Sequence, residues 1–191
     1  MKALIALTSE QLGGKETAGK WLIELAKQDG FTVSQHRFSD VLNDILALLD
    51  IDKTRSNLQQ LAAALDDAFG KGTITKAVKA RFENDNAVIL IIDGVRWPSD
   101  EIMVRNITNS ILIYITADQH LRWQRTRQRC RSGEENKSLA EFCQDELART
   151  EVDIPQIGSR ADIKIENNGT LEEFDAKIES LWQDIKRRFR L

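Results

Sequence analysis

The chain has 191 residues, 41% of them hydrophobic and 30% charged, close to the make-up of one ordinary globular domain. Its 27 basic and 30 acidic residues leave a formal charge of −3. That balance argues against a bulk nucleic-acid binder, and the composition excludes a disordered chain, a collagen-like repeat and a disulfide scaffold. The longest apolar run, residues 87–92, is six residues long, whereas a bilayer crossing needs about 20. Residues 1–7 are too short for a signal peptide and lack a small-residue cleavage pattern. Cys130 and Cys143 fit neither a CxxC nor a zinc spacing, and His36 and His120 are scattered. Free thiols in a cytoplasmic protein are the expectation.

Residues 2–8 are short and almost wholly apolar, which suits a strand buried on both faces. A glycine-containing segment, 9–15, follows. Trp21, Leu22, Leu25 and Ala26 then recur at helical spacing within 17–28, and Gly30 closes that helix. Residues 31–36 read as a second strand. Ser39 or Asp40 is placed to cap a helix carrying Val41, Leu42, Ile45, Leu48 and Leu49. Residues 55–69 and 73–82 read as two more helices, separated by Gly70-Lys71-Gly72. Residues 87–93 give the strongest strand signal, 99–108 a helix, and 110–116 another buried strand. Residues 118–131 and 138–149 are helical and very polar, and 152–158 reads as an ordered loop. A short strand, 161–165, precedes a long amphipathic helix that Gly169-Thr170 opens and Leu171, Phe174, Ile178, Leu181, Trp182 and Ile185 mark.

Five apolar strands alternating with helices predict one α/β domain over residues 1–191, with a five-stranded parallel sheet and helices on both faces. Ligands of such sheets bind beyond the carboxyl ends of the strands. The stretch 38–84 is too long for a single crossover helix and predicts an inserted helical lobe.

After the first strand comes Ser9-Glu10-Gln11-Leu12-Gly13-Gly14-Lys15-Glu16-Thr17. A phosphate-binding loop reads G-x-x-x-x-G-K-[ST] between a strand and a helix. Its glycines let backbone N–H groups converge on phosphate oxygens, and the helix dipole adds to them. Gly13, Gly14 and Lys15 are in place. Ser9 replaces the first glycine, where positive φ would be costly for serine. Glu16 replaces the metal-binding hydroxyl, with Thr17 one place later. A lysine at a helix N-terminus is unfavourable by itself, which favours a functional reason for Lys15. Glu16 complements the dipole, and it tolerates phosphate if magnesium lies between them.

The third strand runs into Asp93-Gly94-Val95-Arg96-Trp97-Pro98. A carboxylate at a strand end beside a phosphate loop can hold magnesium. Arg96 would enter the same crevice with a guanidinium suited to bidentate phosphate contact. Asp93 and Arg96 can also be read as a plain strand-ending turn before a helix that starts at Pro98.

Together these residues resemble the nucleoside-monophosphate-kinase-like branch of the P-loop kinases, above all dephospho-CoA-kinase-like and deoxynucleoside-monophosphate-kinase-like proteins. Gly-Lys-Glu-Thr at 14–17 is similar to that branch's GK[DE]T loop. Residues 38–42, the stretch Thr54-Arg55-Ser56-Asn57-Leu58-Gln59, the Asp93–Pro98 signature and residues 161–171 resemble further segments in the right order. The resemblance implies a three-layer P-loop fold with ATP and magnesium as cofactors. It also implies transfer of a γ-phosphoryl group to a small phosphorylated acceptor, most simply a nucleoside or deoxynucleoside monophosphate.

In that reading Lys15, Asp93, Arg96, Arg125 and Arg129 are the catalytic set. Gly13, Gly14, Lys15, Glu16, Thr17 and Asn168 bind ATP, and Glu16, Thr17 and Asp93 hold the metal. Arg37, Asp40, Arg55 and Arg96 bind the acceptor, the first three from the 38–84 lobe or its edge. Residues 118–150 form a lid, with Arg122, Arg125 and Arg129 on one helix face. Arg160 is expected to reach the phosphates from the 152–158 loop. His36 reads as a strand-end residue. Two other readings stand beside this one. Ser9, Glu10 and Glu16 also suit a nucleotide-binding protein without transferase activity. The arginines of 122–131 also suit an RNA-contacting patch, although the overall charge makes nucleic acid the weaker partner.

Overall fold

The computed structural model describes residues 2–128 and 137–191. Arg129, Cys130 and Arg131 lie outside the described residues. The elements in order are β1 (Ala3–Thr8), α1 (Lys15–Gln28), β2 (Val33–Arg37), α2 (Phe38–Leu48), α3 (Arg55–Phe69), α4 (Thr73–Glu83), β3 (Ile89–Asp93), α5 (Pro98–Arg105), β4 (Ser110–Thr116), α6 (Gln119–Gln128), α7 (Leu139–Glu146), α8 (Ile154–Ser159), β5 (Ile163–Glu166) and α9 (Leu171–Phe189).

The five strands pair in parallel in the order β2-β3-β1-β4-β5. The apolar strands are unbroken because both sheet faces are covered. Side chains alternate between the faces. Ile5, Leu7, Ile89, Ile91, Ile113 and Ile115 meet α1 and α9 on one face. Leu4, Ala6, Leu90, Ile92 and Leu112 meet the helices between β2 and β4 on the other. This register brings Thr8, Arg37, Asp93, Thr116 and Glu166 to one edge, the carboxyl edge of the sheet.

The last helix shows how local chemistry sets an element. Thr170 caps α9 by accepting from Glu173 N at 3.2 Å, and the Glu173 carboxylate accepts from Thr170 N at 2.9 Å. Phe174, Ile178, Leu181, Trp182 and Ile185 then form the buried stripe. The cations Lys186, Arg187 and Arg188 fall in the last turn, where the dipole favours them. Trp182 Nε1 and Lys186 Nζ both donate to Asp29, at 2.9 and 2.7 Å. The bond from Lys186 first, and that from Trp182 second, hold the Asp29 carboxyl below its ordinary value.

Several boundaries differ from the sequence reading. The stretch 152–158 is not a loop: α8 covers most of it, with Ile154 and Ile157 fully buried. Proline in the first turn of a helix loses no hydrogen bond, so Pro155 opens this helix rather than breaking it. Strand β2 spans Val33–Arg37 instead of 31–36. Arg37 therefore precedes α2 directly, and neither Ser39 nor Asp40 is its N-cap. Asp40 stands in the first turn and accepts from Arg37 N at 3.2 Å. No described helix is long and apolar enough to cross a membrane.

Candidate active site

The site begins where β1 ends. The Thr8 hydroxyl donates to Val95 O at 2.7 Å, and Gly94 N and Val95 N donate to Leu7 O at 3.0 and 3.1 Å. These bonds stitch the β3–α5 turn to the start of the 9–15 loop, which sets Asp93 beside it. In the loop, Gly13 N donates to Glu10 O at 3.2 Å. Positive φ falls on Leu12 (62°) and Gly14 (112°), not on Ser9. Ser9 therefore fills the first-glycine position without the expected backbone strain. Its hydroxyl donates to Glu10 O at 2.8 Å. A Cβ on Gly13 would lie 2.3 Å from that hydroxyl and 2.9 Å from Ile115 O; one on Gly14 would lie 2.4 Å from Asn167 Nδ2. Close approach, more than turn geometry, demands glycine at 13.

Helix α1 starts at Lys15, and its first intrahelical bond is Ala18 N to Gly14 O at 3.1 Å. The N–H groups of the first turn are thus directed outward at the positive end of the dipole, as an anion site requires. Thr17 is half-buried in that turn. Glu16 is half exposed and lies 3.7 Å from Lys20.

The loop is gripped from behind by its carbonyls. Buried Asn167 donates to Gly13 O at 3.0 Å. Arg125 donates to Leu12 O at 3.2 Å and to Asn167 O at 2.8 Å. Arg122 donates to Ala117 O at 2.8 Å and pairs with Glu146. Burial first, and the charge of Arg122 second, pull the Arg125 guanidinium below its ordinary value. Arg127 points elsewhere, over the Trp123 ring at 4.6 Å. Asn168 is exposed and exchanges bonds with Asp118, Nδ2 to Oδ1 at 3.1 Å and Oδ1 from Asp118 N at 2.8 Å.

Lys15 and Asp93 are in direct contact, and Asp93 is buried. Arg37 Nε lies 3.4 Å from the other Asp93 oxygen. One carboxylate thus holds two cations, one from the loop and one from the edge strand, because β2 pairs Arg37 with Asp93. Beyond Asp93, the turn is set by buried Asp100. It accepts from Arg96 N and Trp97 N, both at 3.1 Å, and from Thr75 Oγ1 at 2.5 Å. Burial raises the Asp100 carboxyl to about 6 despite these bonds.

Arg96 pairs with Glu151, as does Arg55 Nη2 at 3.1 Å. Glu151 lies 55 and 96 positions from these partners and carries no local signal in the sequence. The Arg37–Asp93 pair and the grip of Asn167 on the loop likewise join residues distant in the chain and have no sequence signature. Arg160 does not approach the loop: it pairs with Glu101 of α5 at 2.6 Å, before β5 begins and away from the carboxyl edge. His36 Nε2 meets Asp85 at 2.9 Å.

A cavity of about 290 Å³ opens beside the loop, lined among others by Glu10, Gln11, Arg122, Glu146, Glu151 and Ile154. Tyr114 donates its hydroxyl to Glu10, and burial first raises that phenol to about 12. Among the described residues Glu10 Oε2 and Gln11 Oε1 are buried without a donor.

Among the described residues no three metal-ligating side chains cluster. Of the expected metal ligands the Asp93 carboxylate is a donor of the kind magnesium takes, and its two oxygens face the cations Lys15 and Arg37. Magnesium takes one or two carboxylates and fills its other positions with phosphate and water.

No family model matches the chain. It is similar to a UPF0200 protein of Hyperthermus butylicus, 24% identical over 171 residues, covering 89% of this chain and 90% of that protein. A UPF0200 protein of Sulfurisphaera tokodaii is 26% identical over 183 residues, covering 95% and 97%. Among solved structures, shikimate kinase from Acinetobacter baumannii, in complex with shikimate, superposes with a TM-score of 0.57 at 19% identity, over 97% of this chain and 96% of that one. Shikimate kinase from Bacteroides thetaiotaomicron gives 0.58 at 14% identity over 99% of each chain. The chain thus has the α/β fold of the shikimate-kinase-like P-loop kinases.

Proposed function

We propose that the chain transfers the γ-phosphoryl group of ATP to a small phosphorylated acceptor, a nucleoside or deoxynucleoside monophosphate or a molecule like one. The observation that carries this reading is the Lys15–Asp93 contact. It joins the loop lysine to a buried strand-end carboxylate at the edge where parallel sheets bind ligands. Phosphoryl transfer asks little covalent chemistry of a protein; positioning and charge neutralisation do most of the work.

The triphosphate takes the outward N–H groups of the Gly13–Thr17 turn. Lys15 exchanges Asp93 for the β- and γ-phosphate oxygens. Asp93, with Glu16 or Thr17, would hold magnesium, which when bound spreads the negative charge that builds on the transferred group. Arg125 and Asn167 keep the loop in shape from behind. Asn168 lies on the base side. The 38–84 lobe, with Arg37, Asp40 and Arg55, takes the acceptor, and Arg96 lies between acceptor and transferred group. Residues 118–150 act as a lid, with Arg129 adding its charge from there. Arg122 and Arg125 turn inward onto backbone carbonyls, which weakens the RNA reading.

A thermal-shift assay with magnesium-ATP, followed by a screen of nucleoside monophosphates, tests the proposal. Stabilisation by ATP and ATP consumption with at least one monophosphate are expected, and both depend on Lys15. Stabilisation without transfer to any monophosphate would support a nucleotide-binding protein without transferase activity.

A further inference from the structure

One anion site in this molecule is filled by its own side chain. Arg55 on α3 and Arg96 in the β3–α5 turn both donate to one oxygen, Oε1 of Glu151. Glu151 is 7% exposed, while the two arginine side chains are 35% and 39% exposed. A carboxylate therefore sits beneath two guanidinium groups that still reach solvent. Asp100 lies beneath the same turn but accepts from the Arg96 backbone N, so the two guanidinium groups share the one Glu151 oxygen. Paired guanidinium groups match the oxygens of a phosphate at least as well as those of a carboxylate.

Glu151 belongs to the turn between α7 and α8, and its neighbours are fastened to the same helix. Gln59 Nε2 donates to Thr150 Oγ1 at 3.2 Å, and Arg149 lies 3.3 Å from Asp67. These bonds are polar and partly exposed, so water replaces them at small cost. The 290 Å³ cavity adjoins Glu151 and offers room for its carboxylate. Of the other acids that line the cavity, Glu146 is matched by Arg122 and Glu10 accepts from Tyr114 through one oxygen.

We infer that Glu151 is a displaceable placeholder for an oxyanion: a phosphate monoester group takes over Arg55 and Arg96, and the Glu151 carboxylate moves into the adjoining cavity. The turn at 148–151 then loosens from α3. The inference deepens the proposed function and rests on it for naming that phosphate as the acceptor's. The anion site itself does not require phosphoryl transfer.

Inorganic phosphate is the probe, titrated by calorimetry into the Lys15→Ala chain so that the phosphate loop contributes little. Adding Glu151→Gln is expected to tighten phosphate binding about tenfold, because a charged competitor becomes neutral. Arg55→Ala and Arg96→Ala should each weaken it about tenfold or more. Glu146→Gln should leave it unchanged. Glu151→Asp, which keeps the charge but shortens its reach, should tighten it less than Glu151→Gln and covers the case in which the glutamine variant fails to fold. Saturating phosphate should also speed hydrogen exchange at Val152 N and Ile154 N, which donate to Ala148 O and Glu151 O. The inference is overturned if neither Glu151 variant tightens binding, or if Glu146→Gln tightens it equally. ATP turnover plays no part in this test, so its outcome and that of the proposed function are separable.

Discussion

The 9–15 loop and the arginine pair share the carboxyl edge of the sheet, yet different forces hold them. The loop rests on backbone: Gly13 and Leu12 carbonyls are gripped by buried Asn167 and half-buried Arg125, and two close approaches exclude a Cβ. The Arg55–Arg96 pair rests on one carboxylate and lies half open to water. Hydrogen bonds onto backbone carbonyls in a close-packed loop are unforgiving of change and depend little on salt. Ion pairs at a solvent boundary are weak in net terms and easily exchanged. The first arrangement suits a rigid cradle for a common ligand, and the second suits an exchangeable site for a variable one.

The two regions meet at Asp93. Asp93→Asn is expected to lower turnover about 10²–10³-fold, the scale of losing one charge-positioning group, as steady-state kinetics would record. A loss below threefold would move the chemistry elsewhere.

Asp100 comes next. Its carboxyl titrates near 6 in the folded chain against an ordinary 3.8, a difference worth on the order of 3 kcal/mol. The folded state binds this proton more readily than the unfolded one. The protonated form therefore stabilises the fold fully below about 3.8, and that contribution is lost as pH rises through about 6. Relative to Asp100→Asn, the natural chain should gain stability between pH 7 and 5 in denaturant titrations. A pH-independent difference would contradict the assignment.

On the loop side, Gly13→Ala should destabilise by about 1–3 kcal/mol through overpacking. Ser9→Gly should restore part of that loss in thermal melts, but not all, since Ile115 O remains 2.9 Å from the new Cβ. Additive single effects would show that the Ser9 hydroxyl is not what excludes a side chain at 13. The Asn167→Ala change removes one buried bond to Gly13 O and should cost about 1–2 kcal/mol. By contrast Asp67→Ala, which frees exposed Arg149, should cost no more than about 0.5 kcal/mol. If those last two were equal, the contrast between the regions would fail.

The fold was legible because strands buried on both faces leave apolar runs that no surface strand carries; β4 at Ser110–Thr116 and α3 at Arg55–Phe69 match their expected spans. The short helix α8 was not legible, since its proline and six residues look like a loop until Ile154 and Ile157 are seen to be buried together. The loop residues Gly13, Gly14 and Lys15 were readable because spacing and context are local. Arg37 was placed one step outside β2, and only the strand register sets it against Asp93. Glu151 was invisible because its meaning comes wholly from arginines distant in sequence. Of the arginine run, helical spacing put Arg122 and Arg125 on one face, and the fold turns that face inward to the loop carbonyls.

Phosphoryl transfer at Lys15 and Asp93 can be followed with ATP labelled at the γ-phosphate, incubated with magnesium and a panel of nucleoside monophosphates. Label is expected on at least one acceptor with the natural chain and none above background with Lys15→Ala, at unchanged melting behaviour. Label released only as inorganic phosphate, or equal transfer by the Lys15→Ala chain, would contradict it.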